Sequence, residues 1–256
     1  MSNNLVLVRH GQSLWNRGRR FTGWSDVPLT PQGRDEARAV GELLRAQGLG
    51  FDLAYTSVLE RATETLRIIL ELLGLEGIPV QRSWRLNERH YGAIQGMSRP
   101  EVARRYGWKQ LVAWQSGYDN RPPPVSLEDE RYPRHDARYD ELPDSILPRT
   151  ESLKDTLERV LPYWSDAIEP QIRAGRRVLV VAHKTSLRAL RKHLDGISDA
   201  DIAGLTIRTG EPVIYSLDAR GRSLEYNSLR PSGLIKRYVQ VGLGKWIQPA
   251  AAKGRK

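Results

Sequence analysis

The chain has 256 residues, of which 39% are hydrophobic and none is cysteine, so it can form one large or two small domains with a substantial core. The absence of cysteine excludes disulfides and thiolate metal sites, and no apolar run approaches the length of a membrane span. The formal net charge of +10 favours anionic partners: phosphorylated metabolites, nucleic acid or acidic surfaces.

Sequence patterns support neither nucleic-acid binding nor membrane association. The basic residues are spread along the chain, and no nucleic-acid-binding motif is present. The N-terminus lacks a charged segment followed by a signal-type apolar core. We therefore expect a cytoplasmic protein that binds neither nucleic acid nor membrane.

The first predicted strand carries a histidine at its end. Residues 5–8 form a short apolar run of β-type residues that stops at Arg9, His10 and Gly11. In α/β sheets the ends of strands hold the chemistry. An imidazole nitrogen can attack a phosphoryl group while a guanidinium holds the anion, and a glycine lets the backbone approach it. A surface histidine at a strand end is the alternative reading of this motif.

Strands and helices alternate along the rest of the chain. Thr30 and Pro31 have the pattern of an N-cap followed by proline, which predicts a helix ending near Gly48. The other predicted elements are a strand at 51–57, a helix at 58–73 stopping at Gly74, a strand at 79–86, a helical segment from Glu151 interrupted by Pro162 and Pro170, a strand at 177–182, a helix at 186–194 and a hairpin around 218–221. This order predicts an α/β fold of three layers, a mainly parallel sheet flanked by helices.

Residues 117–149 differ from their surroundings. They contain three consecutive prolines and many charges, with little periodicity. A segment of this length predicts an insertion with at most one short helix, acting as a lid over an active site. We expect a single domain over residues 1–243 and a mobile basic tail over 244–256.

A second histidine, His183, also follows a buried strand. Parallel strands would bring it and His10 to the same edge of the sheet. With Arg9 and Arg61 the two histidines form a plausible phosphate pocket, and Glu88 is a carboxyl group able to protonate a departing alkoxide. Taken singly, each of these residues also fits a structural or solvent-exposed role.

Seven segments resemble the cofactor-dependent phosphoglycerate mutases, which belong to the histidine phosphatase superfamily. The resemblance runs in order from about Leu5 to Asn227, and its most specific motifs are Phe-Thr-Gly-Trp and Glu-Arg-His-Tyr-Gly. The segments are 8–16, 20–24, 55–62, 86–92, 129–133, 150–153 and 186–190.

The resemblance implies a role for each matching residue. His10 would carry the phosphoryl group, Glu88 would exchange the proton, and His183 would stabilise the group in transfer. The implied phosphate ligands are Arg9, Asn16 and Arg61, and the implied contacts to the substrate's carboxylate or distal phosphate are Thr22, Gly23, Arg89 and Tyr91. We further expect substrate binding by Gln12, Ser13, His90, Arg99, Lys184 and Thr185. The resemblance also implies priming by 2,3-bisphosphoglycerate and no metal. The oligomeric state stays open, with a homodimer and a homotetramer as the alternatives.

The chain departs from the family pattern on the substrate side. Gln115 and Ser116 stand where the mutases have an arginine pair, Lys184 and Thr185 where they have glycine and asparagine, and Arg99 where they have lysine. The predicted activity is interconversion of 3-phosphoglycerate and 2-phosphoglycerate through phosphohistidine. The alternatives are a phosphomonoesterase or a mutase of the same fold acting on another phosphorylated acid, and a basic binding protein without catalysis.

Overall fold

The computed structural model describes residues 4–218, 223–229, 236–242 and 245–247. The strands are β1 Leu5–Arg9, β2 Leu53–Thr56, β3 Val80–Arg82, β4 Val178–Ala182, β5 Val213–Leu217, β6 Ser223–Ser228, β7 Lys236–Gly242 and β8 Lys245–Ile247. The helices are α1 Leu14–Arg17, α2 Pro31–Ala46, α3 Glu60–Leu73, α4 Arg99–Tyr106, α5 Trp108–Ser116, α6 Leu153–Tyr163, α7 Glu169–Arg173 and α8 Lys184–Leu194.

The described strands form one sheet in the order β3-β2-β4-β1-β5-β6-β7-β8. The first four strands in this order are parallel, and β5 to β8 extend the sheet with antiparallel pairs. The expected α/β sheet with flanking helices is confirmed, and its parallel part is the half built on β1 and β4. In that half Arg9 is paired with Ala182, so the backbone leaves β1 and β4 side by side at the same edge of the sheet.

Alternating side chains of β1 face two separate apolar cores. Leu5 and Leu7 belong to a buried cluster that includes Val160 of α6 and Leu187 of α8. The intervening Val6 and Val8 belong to a second cluster, formed with side chains of α2 and α3. Because successive side chains of a strand point to opposite faces, the unbroken apolar run is buried on both sides.

Several predicted helix ends are confirmed. Thr30 caps α2 by accepting a hydrogen bond from the Gly33 N–H at 3.0 Å, and Pro31 lies in the first turn. Gly74 ends α3 with φ of 65°, a left-handed conformation that glycine adopts without the steric cost of a Cβ.

Two predicted elements differ from the structure, and two helices were not predicted. The strand expected at 79–86 ends at Arg82, because Ser83 caps a 3-10 turn over Trp84–Leu86. The helical segment from Glu151 continues through both prolines. Pro162 lies inside α6, and a π-helical stretch over Trp164–Ile168 leads into α7. Pro170 lies in the first turn of α7, where a missing backbone N–H costs no hydrogen bond within the helix. The helices that were not predicted are α4 and α5.

The insertion at 117–149 contains three 3-10 turns, Pro133–His135, Ala137–Tyr139 and Asp144–Ile146, and no α-helix. Its apolar side chains pack with Trp24 into a small core of their own. Near the other end of the chain, β5 and β6 form the expected hairpin, whose tip at 219–222 lies outside the described residues.

The expected mobile tail is only partly described. Lys245–Ile247 pairs with β7 as a strand, and 248–256 lie outside the described part, so the mobility of the tail stays a prediction. None of the helices in the described ranges combines the length and apolar character needed to cross a bilayer.

Candidate active site

His10 lies directly after β1 and is buried, with 2% of its surface exposed. Its Nδ1 is 2.7 Å from the carbonyl oxygen of Gly11. Since a carbonyl oxygen only accepts, Nδ1 must carry the hydrogen, and Nε2 keeps its lone pair. Burial, together with the charges of Arg61 and Arg9, holds the pKa of His10 well below its usual value. The geometry thus presents a neutral imidazole with a free nucleophilic nitrogen.

Close packing fixes the loop that carries His10. The Gly11 N–H donates to the Thr65 hydroxyl at 3.1 Å. A Cβ added at Gly11 would lie 2.1 Å from the carbonyl oxygen of Gly33 in α2. Glycine is therefore required at position 11 for the loop to pack against the start of α2.

His183 follows β4 and lies against His10, with 4.8 Å between the ring centroids. Its Nε2 is 2.7 Å from the Ser57 hydroxyl, whose oxygen also accepts the Leu59 N–H at 3.2 Å. If Ser57 donates to Nε2, its one hydrogen is used and neutral His183 carries its own hydrogen on Nδ1. That Nδ1 is buried and has no hydrogen-bond partner within the described residues. It is therefore available as a donor to a bound oxygen.

Two arginines flank the histidines. The guanidinium of Arg61 donates to the carbonyls of Ser25 at 2.9 Å and Gly23 at 2.7 Å, and burial lowers its pKa to about 10, so it stays charged at neutral pH. Arg9 donates from Nη1 to the Ile207 carbonyl at 2.9 Å, and burial lowers its pKa as well. Both cations are held by carbonyl oxygens rather than carboxylates, which leaves their charge uncompensated for an anion.

Glu88 is the carboxyl group of the site. It is 7% exposed and accepts the backbone N–H of Arg89 at 2.8 Å and that of Thr185, in the first turn of α8, at 3.1 Å. Arg159 donates to the carbonyl of Glu88 at 3.0 Å and forms a buried ion pair with Glu151. The Glu88 loop is thus fixed from both α6 and α8.

These groups surround a cavity of about 310 Å³ at the carboxyl ends of the parallel strands. Its wall contains six cationic side chains against one carboxylate, so it attracts anions. The lining residues are Arg9, His10, Asn16, Arg19, Arg20, Phe21, Thr22, Arg61, Glu88, Tyr91, Arg99, Gln115 and Lys184. No group of three or more potential metal ligands occurs among the residues with described positions.

The structure brings together only part of the predicted substrate-binding set. Asn16, Thr22, Tyr91, Arg99 and Lys184 line the cavity with four of the five predicted catalytic residues. The fifth, His183, is fully buried against His10 and does not line it. The others lie behind its wall: Gln12, Ser13, Gly23, Arg89, His90 and Thr185.

Local hydrogen bonds explain the positions of the residues behind the wall. The Gln12 side chain accepts from Thr30 at 3.0 Å, and Ser13 caps α1. His90 accepts the Gly92 N–H at 3.1 Å on Nδ1, and burial lowers its pKa to about 4. Thr185 donates its backbone N–H to the Glu88 carboxylate. These residues therefore hold the wall in place without lining the cavity.

Four lining residues were not predicted as site residues: Arg19, Arg20, Phe21 and Gln115. The two arginines precede the Phe-Thr-Gly-Trp motif, and an arginine pair beside a motif of this kind was the signal available in the sequence. Arg19 has a φ of 52°, a left-handed conformation rare for residues other than glycine. The Ser57 contact with His183 spans 126 positions and had no local sequence signal.

The fold and cavity define an α/β protein whose cationic cavity is lined by His10 and lies next to the buried His183. Residues 5–149 and 126–228 match the family model described as histidine phosphatase superfamily (branch 1). The chain belongs to this superfamily.

Solved structures share the architecture. YhfR from Bacillus stearothermophilus is 26% identical, with a TM-score of 0.65 over 87% of this chain and 94% of that one. A mycobacterial glucosyl-3-phosphoglycerate phosphatase in complex with VO3 is 26% identical, with a TM-score of 0.64 over 84% and 93%. The alpha-ribazole phosphatase from Shigella flexneri is 20% identical, with a TM-score of 0.62 over 89% and 94%, and is similar in fold.

Proposed function

We propose that the protein is a phosphoglycerate mutase that interconverts 3-phosphoglycerate and 2-phosphoglycerate through phosphohistidine at His10. The observation that carries the proposal is the free Nε2 of His10 at the cavity, with its other nitrogen bound to the Gly11 carbonyl. The specific motifs around Phe21 and Glu88, which resemble the mutases, support the choice of substrate.

The chemistry needs two proton-coupled steps. Nε2 of His10 attacks phosphorus, an N–P bond forms and the ester P–O bond breaks, while protonated Glu88 gives its proton to the leaving oxygen. In the second step the Glu88 carboxylate takes a proton from the accepting hydroxyl, the P–O bond re-forms and the N–P bond breaks. Arg9 and Arg61 stabilise the charge on the phosphoryl oxygens, and Nδ1 of His183 donates to one of them.

Additional cations support a substrate with a second anionic group. Arg9 and Arg61 account for the phosphoryl group next to His10, and Arg19, Arg20 and Lys184 are among the further cations on the wall. A phosphorylated acid would bind the first two arginines through its phosphoryl group and the further cations through its second anionic group. The proposed primer, 2,3-bisphosphoglycerate, has two phosphates and a carboxylate, and we propose that it loads His10 without a metal.

A phosphatase acting on a phosphorylated acid is the second candidate. Gln115 gives the wall a neutral amide at the position where the mutases have an arginine pair. Weaker binding of the phosphorylated acid would favour its release from the cavity and the hydrolysis of phosphohistidine by water. The mycobacterial relative named as a phosphatase supports the same alternative.

One assay separates these functions. The protein is given 3-phosphoglycerate with and without 2,3-bisphosphoglycerate, in the presence of a chelator, and 2-phosphoglycerate and free phosphate are followed together. The mutase proposal expects primer-dependent 2-phosphoglycerate with little phosphate. Release of phosphate without 2-phosphoglycerate favours the phosphatase, and activity that requires added metal contradicts both.

A further inference from the structure

We infer that Lys184 binds the second anionic group of the substrate, the one that is not transferred, and so selects phosphorylated acids over neutral phosphate esters. The inference rests on the proposed function only in taking a phosphomonoester as the ligand. It concerns recognition, and direct binding measurements test it without turnover.

Lys184 is the first residue of α8, follows the buried His183 in the chain and lines the cavity. Its charge interacts unfavourably with Arg9, Arg188 and Arg99 and favourably with Glu88. Because the nearby cations outnumber the acid, an anion bound here would relieve repulsion as well as form a direct contact. The lysine ammonium is thus placed for the part of the substrate that extends from His10 towards α8.

Another part of the wall, at the end of α5, offers a neutral group instead. The buried guanidinium of Arg89 donates to the Trp114 carbonyl, and that of Arg188 donates to the Ser116 carbonyl at 3.0 Å. These bonds hold the helix end in place, with Gln115 on the cavity wall. Nε2 of Gln115 is buried and lacks a partner among the described residues. An amide donor here suits a hydroxyl or carbonyl oxygen, so where α5 and α8 form the wall the lining cation is Lys184.

The titration of Lys184 makes binding of the acid depend on pH. Burial, Arg9 and Arg188 lower its pKa to about 8, so the empty site holds a partly deprotonated amine at mildly alkaline pH. A bound carboxylate favours the ammonium form and draws a proton from solution. Binding of the acid should weaken as pH rises above about 8, by up to about tenfold per pH unit.

Calorimetry with a matched pair of ligands tests the inference. Binding of 3-phosphoglycerate and glycerol 3-phosphate, which differ in the carboxylate, is measured on the wild-type protein and on Lys184→Gln. We expect the wild type to prefer the acid and the variant to lose about tenfold to a hundredfold of that preference, the effect of one charge-assisted hydrogen bond. Lys109→Gln, which removes an exposed lysine of α5, is the control and should keep the preference.

Lys184→Arg adds a readout that a structural role would not change. Arginine keeps the positive charge but does not titrate near pH 8, so proton uptake on binding, measured in buffers of different ionisation enthalpy, should disappear. Equal preference in the wild type and Lys184→Gln, or no preference in the wild type, overturns the inference. Failure of the proposed function would appear separately, as absence of phosphorylated His10 in a protein that still prefers the acid.

Discussion

Replacing Glu88 with glutamine tests proton transfer while keeping the shape of the cavity. Oε1 accepts the N–H groups of Arg89 at 2.8 Å and Thr185 at 3.1 Å, and Oε2 is 3.4 Å from the Thr185 nitrogen. The amide oxygen of glutamine can take the Oε1 position, so we expect a loss of folding free energy of roughly 1–2 kcal/mol. An amide cannot give and recover a proton as a carboxyl group does, so kcat for an alkyl phosphate should fall by about 10²–10⁴-fold.

The nature of the leaving group distinguishes lost proton transfer from general damage. The leaving group of p-nitrophenyl phosphate departs without protonation, so formation of the phosphoenzyme from this ester should slow by less than about tenfold in Glu88→Gln. Rapid-quench measurements of phosphoenzyme formation from both esters give the two rates. Glu42→Gln, on the exposed side of α2, is the control. Equal losses for both esters would refute the assignment of Glu88 as the proton donor.

Three further predictions concern the scaffold. Gly11→Ala puts a Cβ 2.1 Å from the Gly33 carbonyl, so it should unfold at lower temperature than the wild type and form little phosphoenzyme; near-wild-type melting would contradict the tight packing. Arg159→Met leaves the Glu151 carboxylate buried without its partner and should cost about 3–5 kcal/mol in urea unfolding, whereas a cost below about 1 kcal/mol would show that the pair is dispensable. His90 has a pKa of about 4, below the value of about 6.5 in the unfolded chain, so its contribution to stability is present above about pH 6.5 and is lost as pH falls. When pH is lowered from 7 to 5, the free energy of unfolding of His90→Gln should therefore fall by about 2 kcal/mol less than that of the wild type.

The sequence carries most of the information about the central sheet. Short apolar runs predicted β1 and β4 because both faces of these strands are buried, and Thr30 and Gly74 marked helix ends through local backbone chemistry. The common edge of His10 and His183 followed from the expected parallel order, which the pairing of Arg9 with Ala182 confirms. These features depend on local patterns or on a general rule of sheet topology.

Local patterns do not determine which side chains reach the cavity. His90 lies in the motif that also supplies Glu88 and Tyr91, yet it is buried behind the wall, because its ring nitrogens are used by the backbone of Gly92 and Arg131. Contacts between residues distant in the chain, such as Ser57 with His183 or Arg188 with the end of α5, depend on tertiary packing.

Phosphorylation of His10 on Nε2 is the step on which the proposed mechanism depends. The protein labelled with ¹⁵N-histidine is phosphorylated with 2,3-bisphosphoglycerate, and the phosphohistidine isomer is determined from phosphorus–nitrogen couplings by NMR, with His10→Ala as the control. Because Nδ1 donates to the Gly11 carbonyl, we expect phosphorus on Nε2 and no signal in the variant. Phosphorylation at Nδ1, or an acid-labile phosphoenzyme that persists in His10→Ala, would contradict it.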